Sequence, residues 1–125
     1  MKNKRARRIE YIWVGVGVIW ATLIWLLSSL PASGLSRPPF VGADKIVHFL
    51  LFAVLGFTWI RGLRPGLGLL CIVAVLGAVF GMIDEWHQSW VPGRHSTIAD
   101  ALADALGSVA GCITAYRRFP PDGQR

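Results

Sequence analysis

This sequence predicts an all-α fold, a membrane-embedded bundle of four transmembrane helices, and three observations carry that expectation. The 125 residues are 54% hydrophobic and 16% charged with a mean hydropathy of +0.50, more apolar than a small soluble core requires. Four apolar stretches of near-spanning length follow one another. Turn-forming clusters separate them. The length leaves room for one domain, residues 1–125.

Residues 11–30 (YIWVGVGVIWATLIWLLSSL) form the first stretch, which carries no charge and is long enough to cross hydrocarbon unaided. Basic residues ahead of it and the small residues of SSLPASG behind it also fit a secretory signal. Its length exceeds a signal's usual apolar region, so an uncleaved anchor is expected. The second span is placed at residues 45–60. Its apolar part, IVHFLLFAVLGFTWI, is short alone and nears span length as Asp44 and Lys45 reach for the headgroups. Residues 66–84 hold the third, GLGLLCIVAVLGAVFGMI with Asp84. Residues 97–116 hold the fourth, apolar except for Asp100 and Asp104. The breakers PASGLSRPPFVGA, RGLRP and SWVPGRHS separate the spans, and FPPDGQR follows them. Cys71 and Cys112 lie in apolar runs and are expected to be free, packing as small hydrophobes.

Lys and Arg near short loops are retained in the cytoplasm. Ten of the 13 basic residues fall in the N-terminal tail, the Arg61–Pro65 loop and the C-terminal tail, against Arg37, Lys45 and Arg94 opposite. The expected topology is therefore multi-pass in the cell's inner (cytoplasmic) membrane, with both termini cytoplasmic. On this reading the net charge of +6 reflects topology and attraction to anionic membrane lipids, not a nucleic-acid partner.

With that topology, five of the seven acids (Asp44, Asp84, Glu85, Asp100 and Asp104) gather on the outward side. Residues four apart share a helix face, which pairs Asp44 with His48 and Asp84 with Gln88, with Glu85 alongside. Trp86 points away toward lipid or the interface, and His87 sits at the edge of the polar face. In the fourth helix Asp100, Asp104, Gly107 and Gly111 form one stripe, and Leu102, Leu106, Val109 and Ile113 occupy much of the rest. An ionisable group at membrane depth costs roughly 2.5–3.5 kcal/mol or more unless it finds a partner or water. One outward-opening cluster is expected, its possible partners including Lys45, His48, Gln88 and Arg94. Gly107 and Gly111 make a GxxxG step suited to close helix packing.

Each polar residue has a plain reading beside a functional one. Ser96 or Thr97 is a candidate cap for the fourth helix, and Thr97 with Asp100 has capping-box spacing. Arg94 either holds an anion at that helix start or pairs with Asp84 or Glu85. His48 either locks the second helix to the fourth through a carboxylate or acts as a base or metal ligand. His48, Asp84, Glu85, His87 and Asp100 contain metal donors, but no HExxH or CxxC spacing occurs, so neither a metal nor another cofactor is assigned. GxSxG, P-loop and dinucleotide motifs are also missing.

DKIVHFLLFAVLG from Asp44, followed by DEWHQSWVPGRHSTIADALADALGSVAG from Asp84, resembles the VanZ-like family of small membrane proteins. The family pattern is D-K-x-x-H-F-x-x-F, then D-E-x-x-Q, P-G-R, D-x-x-x-N and G-x-x-x-G, in this order. The resemblance places Asp44, Lys45, His48, Asp84, Glu85, Gln88, Arg94 and Asp100 at signature positions. Asp104 stands where the family usually has Asn. The founding member is associated with low-level resistance to the glycopeptide teicoplanin, while most relatives have no assigned activity. The resemblance thus implies an envelope-related membrane protein, with glycopeptide resistance as one known association, and supplies no reaction.

The first functional expectation is a binding or modulating protein for a lipid-linked or cell-wall component. Arg94 and the fourth helix start would hold its anionic group, with His48, Gln88 and Asp100 setting orientation. The alternative is an outer-leaflet hydrolase or group transferase. Here His48 would be the base, oriented by Asp44 or Asp100, and Asp84 or Glu85 an acid or cation ligand, with Arg94 stabilising developing charge. His48, Asp84, Glu85 and Asp100 are then the catalytic candidates, and Asp44, Lys45, Gln88, Arg94 and Asp104 bind substrate. An ion-coupled transporter is a poorer fit, since its acids would not continue across the bundle.

Overall fold

Hydrocarbon offers no water to backbone polar groups, so an apolar chain that enters it satisfies them internally by coiling into helices. A computed structural model describes residues 4–35, 39–64 and 66–120, without the side chains of Arg5 and Ala6. Among the described residues there is no strand. The order is α1 (Lys4–Ser28), a short 3-10 turn (Ala32–Gly34), α2 (Ala43–Leu63), α3 (Leu67–Gln88) and α4 (Ile98–Arg118). All four α-helices are long and apolar enough to cross a membrane. Lys2, Arg37, Pro65, Asp122 and Arg125, which entered the reading of topology and turns, lie outside the described residues.

Three helices outrun the expected spans at places that matter. α1 starts within the basic tail because Lys and Arg are good helix formers. α2 begins at Ala43, after Gly42 in the left-handed region (φ 88°), so Asp44 and Lys45 belong to its first turn. α3 continues to Gln88, which puts DEWHQ in its last turns with Asp84, Glu85 and Gln88 on the buried face.

The most extensive interface joins α2 to α4, and α1 packs far more on α2 than on α3. Glycine makes the α2/α4 seam possible. A Cβ at Gly107 would come within 3.0 Å of the Phe49 Cα, and one at Gly111 within 2.7 Å of the Ala53 carbonyl carbon, both on the α2 backbone. The expected GxxxG packing therefore has a defined partner helix.

Along α4 the buried residues are Asp100, Asp104, Gly107, Ser108, Gly111, Cys112 and Ala115. Asp104 is 0% exposed, whereas Leu106 is 62% exposed. That pattern inverts the one water would impose and suits a lipid surround. Cys71 and Cys112 are both free thiols, the former exposed and the latter buried.

Ser28 at the end of α1 bonds Asp84 near the end of α3, and Lys45 at the start of α2 bonds Asp100 at the start of α4. The helices therefore alternate in direction. One end of the bundle carries Arg61, Arg64, Arg117 and Arg118. There the Arg61 guanidinium lies 4.3 Å from the Phe119 ring centroid and Arg64 lies 3.6 Å from Glu10. The other end collects the acids.

Candidate functional site

Four segments build the polar end: the last turn of α1, the first turns of α2 and α4, and the last turns of α3. The residues between α3 and α4 cross over it, and Ala32 N–H donates to the Pro92 carbonyl (3.2 Å), docking the 3-10 turn on that loop. Gly93, at φ 74°, permits the tight bend that brings Arg94 back toward the bundle.

The expected α4 cap is present. Thr97 Oγ1 accepts from the Asp100 N–H at 3.1 Å and donates to Asp100 Oδ2 at 2.5 Å. Lys45 Nζ donates to Asp44 Oδ2 (2.9 Å) and Asp100 Oδ1 (3.0 Å), linking α2 to α4. The Thr97 N–H donates to Glu85 Oε2 (3.2 Å), linking α3 to the same capped start.

Two further networks lie beneath this layer. In the first, Ser28 Oγ donates to Asp84 Oδ2 (2.6 Å), and Gln88 Nε2 donates to Ser28 Oγ and Asp84 Oδ2 (3.1 Å each). Arg94 Nη2 donates to Gln88 Oε1 (2.8 Å), so the network extends into the loop. In the second, His48 Nδ1 lies 2.9 Å from Asp104 Oδ1 and 3.4 Å from Glu85 Oε1.

The shared polar end is as expected, while several partners differ. Arg94 bonds Gln88 instead of pairing with Asp84 or Glu85, because Ser28 and Gln88 already serve Asp84. His48 is oriented by Asp104, not by Asp44 or Asp100, since Lys45 engages those two. The suggested donor set of His48, Asp84, Glu85, His87 and Asp100 does not assemble. His87 instead stacks on Trp25 at 4.1 Å and bonds Ser29. His48, Glu85 and Asp104 do come together, with one donor atom from each within 4.8 Å of the others. Trp86 is exposed on the apolar surface, as expected.

Ser28 was missed by sequence reasoning. A serine at the end of an apolar run carries no signal beyond its polarity, and its own helix can satisfy it. Asp104, a substrate-binding candidate on the sequence, is fully buried and central to the His48 group.

A cavity of about 570 Å³ opens beside these networks, within the usual range for small-molecule sites. Asp44, His48, Asp84, Gln88, Arg94 and Asp100 line its polar side. Ile24, Leu27, Val47, Leu51 and Phe52 line the apolar side. Glu85, Asp104 and Lys45 are not among the lining residues. The chamber can hold a polar group against charged donors and acceptors while an attached apolar chain lies along α1 and α2.

No curated protein and no solved structure matched this chain. The family model described as VanZ/LLP1 matches residues 5–119, which takes in all of α2, α3 and α4, α1 but for its first residue, and every residue of the two buried networks, and the chain belongs to the VanZ/LLP1 family.

Proposed function

We propose that this chain binds an amphipathic, lipid-linked or cell-wall component of the cell envelope at the outward face of the cytoplasmic membrane. The single observation behind this reading is the cavity that sets charged side chains opposite an apolar wall. Arg94 meets the anionic head of the ligand, fixed in place through Gln88. His48 and Asp100 orient it, and the start of its hydrocarbon chain lies against Leu27, Val47 and Leu51. The cavity volume accommodates a head and a few carbons, so the rest of the chain stays in lipid. The basic residues at the other end support a cytoplasmic placement for both termini.

A second reading, an outer-leaflet hydrolase or group transferase, draws on the His48–Asp104 contact. A carboxylate on Nδ1 is the arrangement that prepares the other imidazole nitrogen to act as a base.

One experiment separates the two. The purified chain is incubated with a polyprenyl phosphate or the uncharged polyprenol, and retained lipid and any product are followed by mass spectrometry. Wild type is expected to retain the phosphate selectively and unchanged. Arg94→Ala should weaken retention by about 10- to 100-fold, the equivalent of a lost charged hydrogen bond. Equal retention of both lipids, or no effect of Arg94→Ala, rejects the binding reading. Product formation that stops in His48→Ala while binding persists establishes the enzyme.

A further inference from the structure

The His48 group has features of a cation site that neither its hydrogen bonds nor the ligand-binding reading requires. Its three side chains come from three different helices: His48 from α2, Glu85 from α3 and Asp104 from α4. Ligands at about 2.0–2.1 Å from a metal ion stand roughly 2.8–3.4 Å apart at octahedral or tetrahedral angles. The Nδ1 of His48 lies 2.9 Å from Asp104 Oδ1 and 3.4 Å from Glu85 Oε1, close to those separations.

The unused oxygens make the same point. Glu85 is 4% exposed, and the Thr97 N–H holds its Oε2. That contact leaves Oε1 directed at His48, buried and without a hydrogen bond. Asp104 Oδ2 is likewise buried without a hydrogen bond, beside Gly81 of α3, where a Cβ would lie 3.1 Å from it. Buried oxygens of this kind are costly when nothing meets them.

Charge is also out of balance. Among the described residues of the polar end, Lys45 is engaged by Asp44 and Asp100, and Arg94 donates to Gln88. Glu85, which also meets the Thr97 N–H and the Ser96 side chain, and Asp104 are left with an imidazole as their charge partner. Two adjacent carboxylates in a low-dielectric setting are stabilised strongly by a divalent cation.

We propose that His48, Glu85 and Asp104 bind one divalent transition-metal ion of the zinc or manganese type. One imidazole nitrogen with two carboxylate oxygens suits those ions, and the set has no thiolate, since Cys112 lies apart with its Sγ on the Gly56 carbonyl (3.7 Å). Three protein ligands leave at least one position for water or another donor. The ion would cross-brace three helices at the level of the cavity. Ligation through Nδ1 also places the His48 proton on Nε2, the tautomer opposite to the one a general base requires. The site stands on the cluster alone and does not depend on the lipid-binding reading.

The test uses the full chain without a polyhistidine tag, purified in detergent, stripped with chelator and reloaded with ZnCl₂ or, separately, MnCl₂. After desalting, about one equivalent of metal per chain is expected from at least one of the two salts, with a higher melting temperature than the stripped protein. His48→Ala, Glu85→Gln and Asp104→Asn should each cut retention at least tenfold, with far-UV circular dichroism and elution volume confirming the fold. His87→Ala, which removes a partly exposed imidazole, should retain metal as wild type does. X-ray absorption on the wild type gives a readout independent of variant folding and should show nitrogen and oxygen ligands only. Failure of wild type to retain either metal, sulfur in the coordination shell, or undiminished retention in the three variants would overturn the site. No lipid ligand is added, so failure to bind polyprenyl phosphate leaves this result unaffected.

Discussion

Replacing Gly111 with alanine tests the seam that brings α2 and α4 together. The new Cβ would lie 2.7 Å from the Ala53 carbonyl carbon and 2.9 Å from the Phe57 nitrogen, and nearer still to the Ala53 oxygen. Ordinary heavy-atom contact begins near 3.5 Å, so the helices must separate by roughly 1 Å. Overpacking of this kind costs about 1–3 kcal/mol, and the upper part of that range applies because backbone must move. Alanine returns about 0.5–1 kcal/mol through its better helix propensity. The net loss is then about 1–2 kcal/mol, a 5- to 30-fold drop in the folded-to-unfolded ratio. Gly15 provides the matched control, because a Cβ there meets nothing within 4 Å. Gly15→Ala should be neutral or slightly stabilising. The assay is a dodecyl sulfate titration in mixed micelles followed by far-UV circular dichroism. If Gly111→Ala unfolds at the same detergent fraction as Gly15→Ala, the close α2/α4 approach is wrong, and the 2.9 Å contact between His48 and Asp104 loses its structural basis.

Ser28→Ala should lower stability by about 1 kcal/mol in the same titration, because it removes the hydroxyl shared by Asp84 and Gln88. Ser89→Ala, altering an exposed hydroxyl that donates to the Trp86 carbonyl of its own turn, should change it by less than about 0.5 kcal/mol, and equal effects would count against the buried network. For topology, alkaline phosphatase fused after Pro92 should be active and the same enzyme fused after Arg118 inactive. The reverse pattern would put the cavity in the cytoplasm.

Much of this architecture is local in origin and therefore legible in one dimension. A helix satisfies its own backbone, so an apolar run bounded by breakers signals a span whatever surrounds it. Residues 11–30 and 66–84 needed nothing more. The stripe of Asp100, Asp104, Gly107 and Gly111 was equally readable, because residues on one face recur every three or four positions. Only the ends moved: DEWHQ became the last turns of α3, and Asp44 entered the first turn of α2.

By itself, then, the sequence determined a four-span helical class, its turns, the concentration of acids at one end and the inward face of α4. Tertiary structure alone decided which polar residue met which partner: Asp104 with His48, Ser28 with Asp84, Gln88 with Arg94. The reason is one of range. Periodicity constrains a side chain's direction about its own helix axis, whereas partnership depends on the relative rotation and depth of two helices. Here those are set by backbone contacts at Gly107 and Gly111 with Phe49 and Ala53, more than 50 residues away along the chain.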